Sequence, residues 1–173
     1  ICSSLGTSAN IFGSVEELNP DPMKRVSYYC HVVPGKWIII SGSTDSISLR
    51  WFRDNLGYYE MKLAKKRGLS AYKVMDEEAE KTEPGAGSLV FLPFLSGARS
   101  PIWNTDASGV FFGIKYHHSR GTLIRAVLEG IAYSTRQRIE VLRALGINPK
   151  EIVAVGGGAR SEVWNQIMSD VTG

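Results

Sequence analysis

The sequence predicts an α/β protein in which a mixed β-sheet is flanked by helices. Three observations predict it. Residues 1–45 are rich in β-branched and aromatic types broken by short turns. Residues 119–145 place apolar side chains three and four positions apart, the period of an amphipathic helix. Near the end, an apolar run over 151–155 stops at Gly156, Gly157 and Gly158, and a second amphipathic stretch begins at once.

Taken in order, the β-rich start reads as "ICSSLGTSANIFGSV" followed by "VSYYCHVVPGKWIIISG", with Pro34-Gly35 as a hairpin turn. Three helical segments follow, "SISLRWFRDNL", "YYEMKLAKKRG" and "AYKVMDEEAEKT", with Gly57 and Gly68 where C-terminal caps fall. The Lys65-Lys66-Arg67 triplet closes a helix, where cations are favoured. "LVFLPFL" (89–95) predicts a short buried strand, and 96–109 a long polar loop of the kind that often carries function. After "VFFGI", the long helix points Ile124, Val127, Leu128, Ile131, Thr135, Ile139, Leu142 and Leu145 to one side. Arg125, Glu129, Arg136, Glu140 and Arg143 fall on the other. Asn148-Pro149 ends it, "EIVAV" predicts a buried strand, and Ser161 is the expected N-cap of the last helix. There is no internal repeat.

Composition narrows the function classes. The chain has 173 residues, enough for one core or one lobe of a two-lobed protein. A net charge of +3 without a basic stripe argues against nucleic acid. No apolar run approaches the ~18 residues of a membrane span. Two cysteines, Cys2 and Cys30, fit reduced thiols and a cytoplasmic location. The chain starts at Ile1 in β-like sequence, which reads as a piece of something longer. His117 and His118 fit a solvated loop or helix start.

Three glycines ending a strand and feeding a helix form a favoured place for a nucleotide, where bare backbone and the helix dipole face outward. The motif is no dinucleotide fingerprint, because position 161 is serine, and no P-loop follows. A tight turn with close helix packing explains it equally well. Gly6, Thr7 and Ser8, in the first bend, offer amides and two hydroxyls to phosphate oxygens, and are also an ordinary hairpin tip.

The ordered set "SLGTSA", "FLPFLSGARSPIWNTDASGVFFGI", "RAVLEGIAYSTR" and "VGGGARSEVWNQIMSDVTG" resembles the FGGY carbohydrate kinases, xylulokinase-like and gluconokinase-like members above all. The resemblance implies an actin-like, ribonuclease-H-like ATPase lobe. Residues 1–173 would be part of the C-terminal, ATP-binding lobe of a two-lobed sugar kinase, without the N-terminal lobe and the extreme C-terminus. It matches Gly6, Thr7 and Ser8 to the family's phosphate hairpin, and Gly157, Gly158 and Ala159 to its adenosine motif, with Asn165 at a commonly polar position. Ser46, where relatives usually have glycine, and Gly156 join the nucleotide pocket. Gly97-Ala98-Arg99 stands where many relatives have Gly-Glu-Arg; Trp103, Asn104 and Asp106 are read as loop-fixing.

The implied reaction is ATP-dependent phosphorylation of a hydroxyl on xylulose or a related sugar, with Mg²⁺. The partners are ATP or ADP and a small sugar; a homodimer is one option. The family's catalytic aspartate lies just upstream of the hairpin, so no catalytic residue is assigned within the chain. Asp45, Asp54, Asp76, Asp106 and Asp170 read as solvated or capping carboxylates. Two alternatives stay open: another kinase or ATPase of the actin superfold, such as a glycerol kinase, and a non-catalytic nucleotide-binding or interaction module. A Gly-Asp pair ahead of residue 1 would separate catalysis from the module.

Overall fold

The computed structural model describes residues 1–6 and 8–173; Thr7, named above for phosphate binding, lies outside the described residues. Among the described residues seven strands and five α-helices follow one another: β1 (Cys2–Leu5), β2 (Ala9–Val15), β3 (Ser27–Cys30), β4 (Trp37–Ser43), α1 (Ile47–Asn55), α2 (Tyr58–Arg67), α3 (Ala71–Glu80), β5 (Val90–Leu92), β6 (Val110–Phe112), α4 (Arg120–Ala144), β7 (Val153–Val155) and α5 (Glu162–Thr172). The main sheet has the order β3-β4-β2-β1-β7, and β5 and β6 form a separate antiparallel pair. Strands β1 to β4 pair antiparallel, whereas β7 joins β1 in parallel, so the sheet is mixed as expected.

Local chemistry accounts for most boundaries. Gly35 has φ +78° in the turn between β3 and β4, where the Lys36 amide donates to the Val33 carbonyl. Gly68 ends α2 in the left-handed conformation, with φ +67°. Gly57 does not: its φ is −88°, and glycine is needed there because a Cβ would stand 2.6 Å from the Arg53 carbonyl oxygen. Ser119 and Thr122 form a reciprocal cap at the start of α4.

Helix α4 is the spine. Its first half packs Ile124, Leu128 and Ile131 with Phe52, Met75 and Trp164 of the surrounding helices. Its second half packs Ile139 and Leu142 on Ile11 and Ile39 of the sheet. Being sandwiched between helices and sheet, α4 has less polar surface than its sequence predicts: Arg125 and Glu129, expected on the solvent face, are buried. They satisfy each other at 2.8 Å, and Glu129 accepts the Gly85 amide at 2.9 Å.

Two strand expectations are corrected. The segment 89–95 is a strand only over Val90–Leu92, and Val90 and Leu92 face outward while Phe91 is buried, because this two-stranded sheet has one covered face. The strand from 151–155 is reduced to Val153–Val155 and is exposed, since β7 forms the edge of the main sheet beside β1. Among the described residues no helix is long and apolar enough to cross a membrane, and Cys2 and Cys30 are free thiols.

Candidate functional site

Parallel pairing of β1 with β7, Ser4 opposite Val155, brings the ends of these two strands side by side. Gly6 and Ser8 after β1 and Gly156–Gly158 after β7 therefore lie at one end of the sheet. Their backbones touch: a Cβ on Gly156 would lie 2.9 Å from the Leu5 carbonyl oxygen and 3.5 Å from the Gly6 nitrogen. By register, Ala9 faces Ser43, so Thr44 to Ser46 leave β4 at the same end.

The glycines divide into two kinds. Gly156 has φ +94° and meets the Leu5 backbone, so the fold itself requires it. Gly158 is equally constrained, because a Cβ would come 2.5 Å from the Trp164 ring and 2.8 Å from the Leu5 Cβ. Gly157 sits at φ −64°, ψ −37°, which any residue adopts, and nothing stands within 4 Å of a Cβ there. Gly6 likewise faces open space. Packing explains Gly156 and Gly158 and leaves Gly6 and Gly157 unexplained by the fold.

The Gly6 amide donates to the Ser8 carbonyl at 3.2 Å, so Gly6 contributes room and not the free donor its composition suggests. The Ser8 hydroxyl accepts from Asn10 Nδ2 at 3.3 Å and retains its own proton to donate. Asn165, on α5, donates through Nδ2 to the Ala159 carbonyl at 2.8 Å, and its Oδ1 is buried without a partner among the described residues. Asn165 thus braces the glycine turn from within. It also borders a cavity of about 410 Å³ against Ser3, Leu5, Ile139 and Met168, which lies along the sheet face and not between the two bends.

Ser46 is buried at the N-terminus of α1, makes no capping bond, and its Oγ has no partner among the described residues. Beside it, Asp45 is not the solvated carboxylate expected from a polar turn. It is buried and accepts from Arg138 Nη1 at 2.7 Å and from the Ser134 hydroxyl. Burial pushes the Arg138 guanidinium below its ordinary value, against the raising influence of Asp45.

Sequence reasoning missed both this pair and Asp76. The latter lies on α3, partly buried; burial raises its carboxyl above the usual range, against the lowering influence of Ser161, the N-cap beside the glycine turn. No sequence signal tied Asp45 to Arg138, because 93 positions separate them. Among the described residues no group of three His, Cys, Asp or Glu side chains is placed to hold a metal ion. Free space over two touching backbone bends, with a hydroxyl beside it, suits a flat polar ligand carrying an anionic tail.

Known proteins match this arrangement over almost the whole chain. Residues 2–173 fit the model of the FGGY family of carbohydrate kinases, C-terminal domain. The chain is 37% identical to the xylulose kinase of Escherichia coli (strain K12) over 98% of its length and 33% of that protein's. It is 36% identical to the gluconokinase of Bacillus subtilis (strain 168), covering 99% of the chain and 34% of the relative. The crystal structure of xylulose kinase from Rhodospirillum rubrum superposes with a TM-score of 0.81 at 32% identity, over 99% of this chain and 33% of that one. The fold is the actin-like ATPase fold of these sugar kinases, and the chain spans about a third of the length of its relatives.

Proposed function

The chain belongs to the FGGY family of carbohydrate kinases, and from that premise we propose that it is a nucleotide-holding lobe serving ATP-dependent phosphorylation of a sugar hydroxyl. The observation that carries this reading is the contact between the two bends, Gly156 against Leu5 and Gly6, with open space at Gly6 and Gly157. In this reading the adenosine lies over Gly157, Gly158 and Ala159, with Asn165 bracing that turn and Gly156 setting its direction. The phosphates reach the hairpin at Gly6, Thr7 and Ser8, with Ser46 alongside. Xylulose or a sugar acid is the acceptor class, by kinship with the xylulose kinases and gluconokinases.

Phosphoryl transfer asks the protein mainly for positioning and for neutralising phosphate charge. Mg²⁺, when bound, supplies part of that neutralisation, and with no acidic cluster among the described residues to hold it, it would arrive on the nucleotide. A carboxylate must also take the proton of the sugar hydroxyl. The buried acids among the described residues are already committed, Asp21 to Arg25, Asp45 to Arg138, Glu129 to Arg125 and Glu60 to Arg120. We therefore assign the proton acceptor, and most sugar contacts, to residues beyond these 173, in a whole protein that works in the cytoplasm.

Titrating the chain with ADP, followed by amide NMR shifts, tests the reading. Shifts concentrated at residues 6–10 and 156–160 are expected at millimolar ADP. Their absence there, or equal shifts with an uncharged sugar alone, would overturn it. The same chain incubated with ATP and xylulose is expected to form no sugar phosphate.

A further inference from the structure

The corner between β4 and α1 is held far more firmly than a connection of three residues requires. The Asp45 amide donates to Ser43 Oγ at 3.1 Å, and the Asp45 carboxylate is clamped by Arg138, itself fully buried. Arg138 also donates to Ser134 Oγ and Thr135 Oγ1, each at 3.0 Å, so the guanidinium is anchored on α4 before it reaches the corner. On the other flank Thr44 and Ser96 share a hydroxyl bond at 2.7 Å, and Ser41 and Ser100 another at 2.6 Å.

Stability alone does not account for this pair, because a buried ion pair gains little over well-packed apolar residues of the same shape. What the clamp does achieve is a fixed position for the next residue. Ser46 is buried, yet its hydroxyl neither caps α1 nor finds a partner among the described residues. A buried hydroxyl held rigid and unsatisfied is a cost that a ligand oxygen would remove.

We propose that Arg138 is a positioning residue for nucleotide binding: acting through Asp45, it holds the Ser46 hydroxyl at the end of the sheet where the nucleotide's phosphates arrive. The inference rests on the nucleotide reading above and adds a residue to it. Arg138 touches no ligand. Its role is transmitted from the α4 spine through one carboxylate to one hydroxyl.

The test is a cycle of variants of the 173-residue chain, each checked for folding by circular dichroism and titrated with ADP. The pair variant D45N/R138M removes both charges together, so neither is left buried alone. It is expected to lose about fivefold in ADP affinity, S46A a similar factor, and the triple variant no more than the weaker of the two, since coupled residues are non-additive. A folded pair variant that binds ADP like the wild type overturns the inference, as do losses that multiply. If the pair variant does not fold, the wild type decides: ADP must shift the Ser46 amide and the Arg138 Nε–H, and unmoved signals there with shifts at 156–160 overturn it while leaving the nucleotide reading intact. A wild-type chain that takes up no ADP overturns both.

Discussion

Two bends leave the same end of one sheet and are built by opposite means. The corner after β4 is held by side chains: a buried arginine, a buried aspartate and a set of hydroxyls. The turn after β7 is held by their absence, with Gly156 and Gly158 admitting the Leu5 backbone and the Trp164 ring at distances no Cβ tolerates. The lesson is that rigidity near a ligand site comes from two sources. Buried polar pairs hold their conformation through direction, glycines through close approach, and the two respond differently to mutation.

The largest expected effect breaks the first bend. Asp45→Ala leaves Arg138 buried without its partner and should cost about 3–5 kcal/mol, read as a fall in the urea midpoint at unchanged slope. A cost near zero would mean that water reaches Arg138. Next comes the second bend: Gly158→Ala drives a methyl against Trp164 and should cost about 1–3 kcal/mol by thermal unfolding.

Gly157→Ala separates fold from function. It adds a methyl to open space at an ordinary helical φ, so stability should change by less than ~0.5 kcal/mol, while ADP affinity falls about tenfold if a purine lies there. Unaltered affinity would sharpen the comparison against the nucleotide, leaving the turn a packing feature only.

The smallest effect concerns pH beside that turn. Burial raises the Asp76 carboxyl, against the lowering influence of Ser161. A group with a raised folded value binds its proton more tightly in the folded state. Its contribution therefore grows as pH falls through the raised value toward that of the unfolded chain, about 4, and is lost again as pH rises. Asp76→Asn should flatten the stability profile in that window, measured by unfolding at several pH values.

Much of this was legible without coordinates where the governing physics is local. The apolar period of α4, the Ser161 cap, the Pro34-Gly35 turn and the left-handed Gly68 depend on neighbours a few residues away, and each stands where expected. Reading the glycine run as a close approach was also sound, but the sequence does not say approach to what: for Gly156 and Gly158 it is the protein's own Leu5 and Trp164. The charges of Arg125 and Glu129 fall opposite the apolar stripe, the face that in a surface helix meets water. The first half of α4, from Gly121 to Ala132, has no solvent side, so the two charges are paired there, whereas Arg136 and Glu140 further along remain exposed.

The sequence by itself therefore determined the order of elements and the two small-residue bends, because periodicity and turn chemistry act over short stretches of chain, and its motifs carried the resemblance to the family. Only the tertiary structure decided that those bends touch, that the β7 strand is exposed, and that Asp45 meets Arg138 across 93 positions. Contacts between distant segments depend on how the sheet is ordered and what covers it, and no local pattern encodes that.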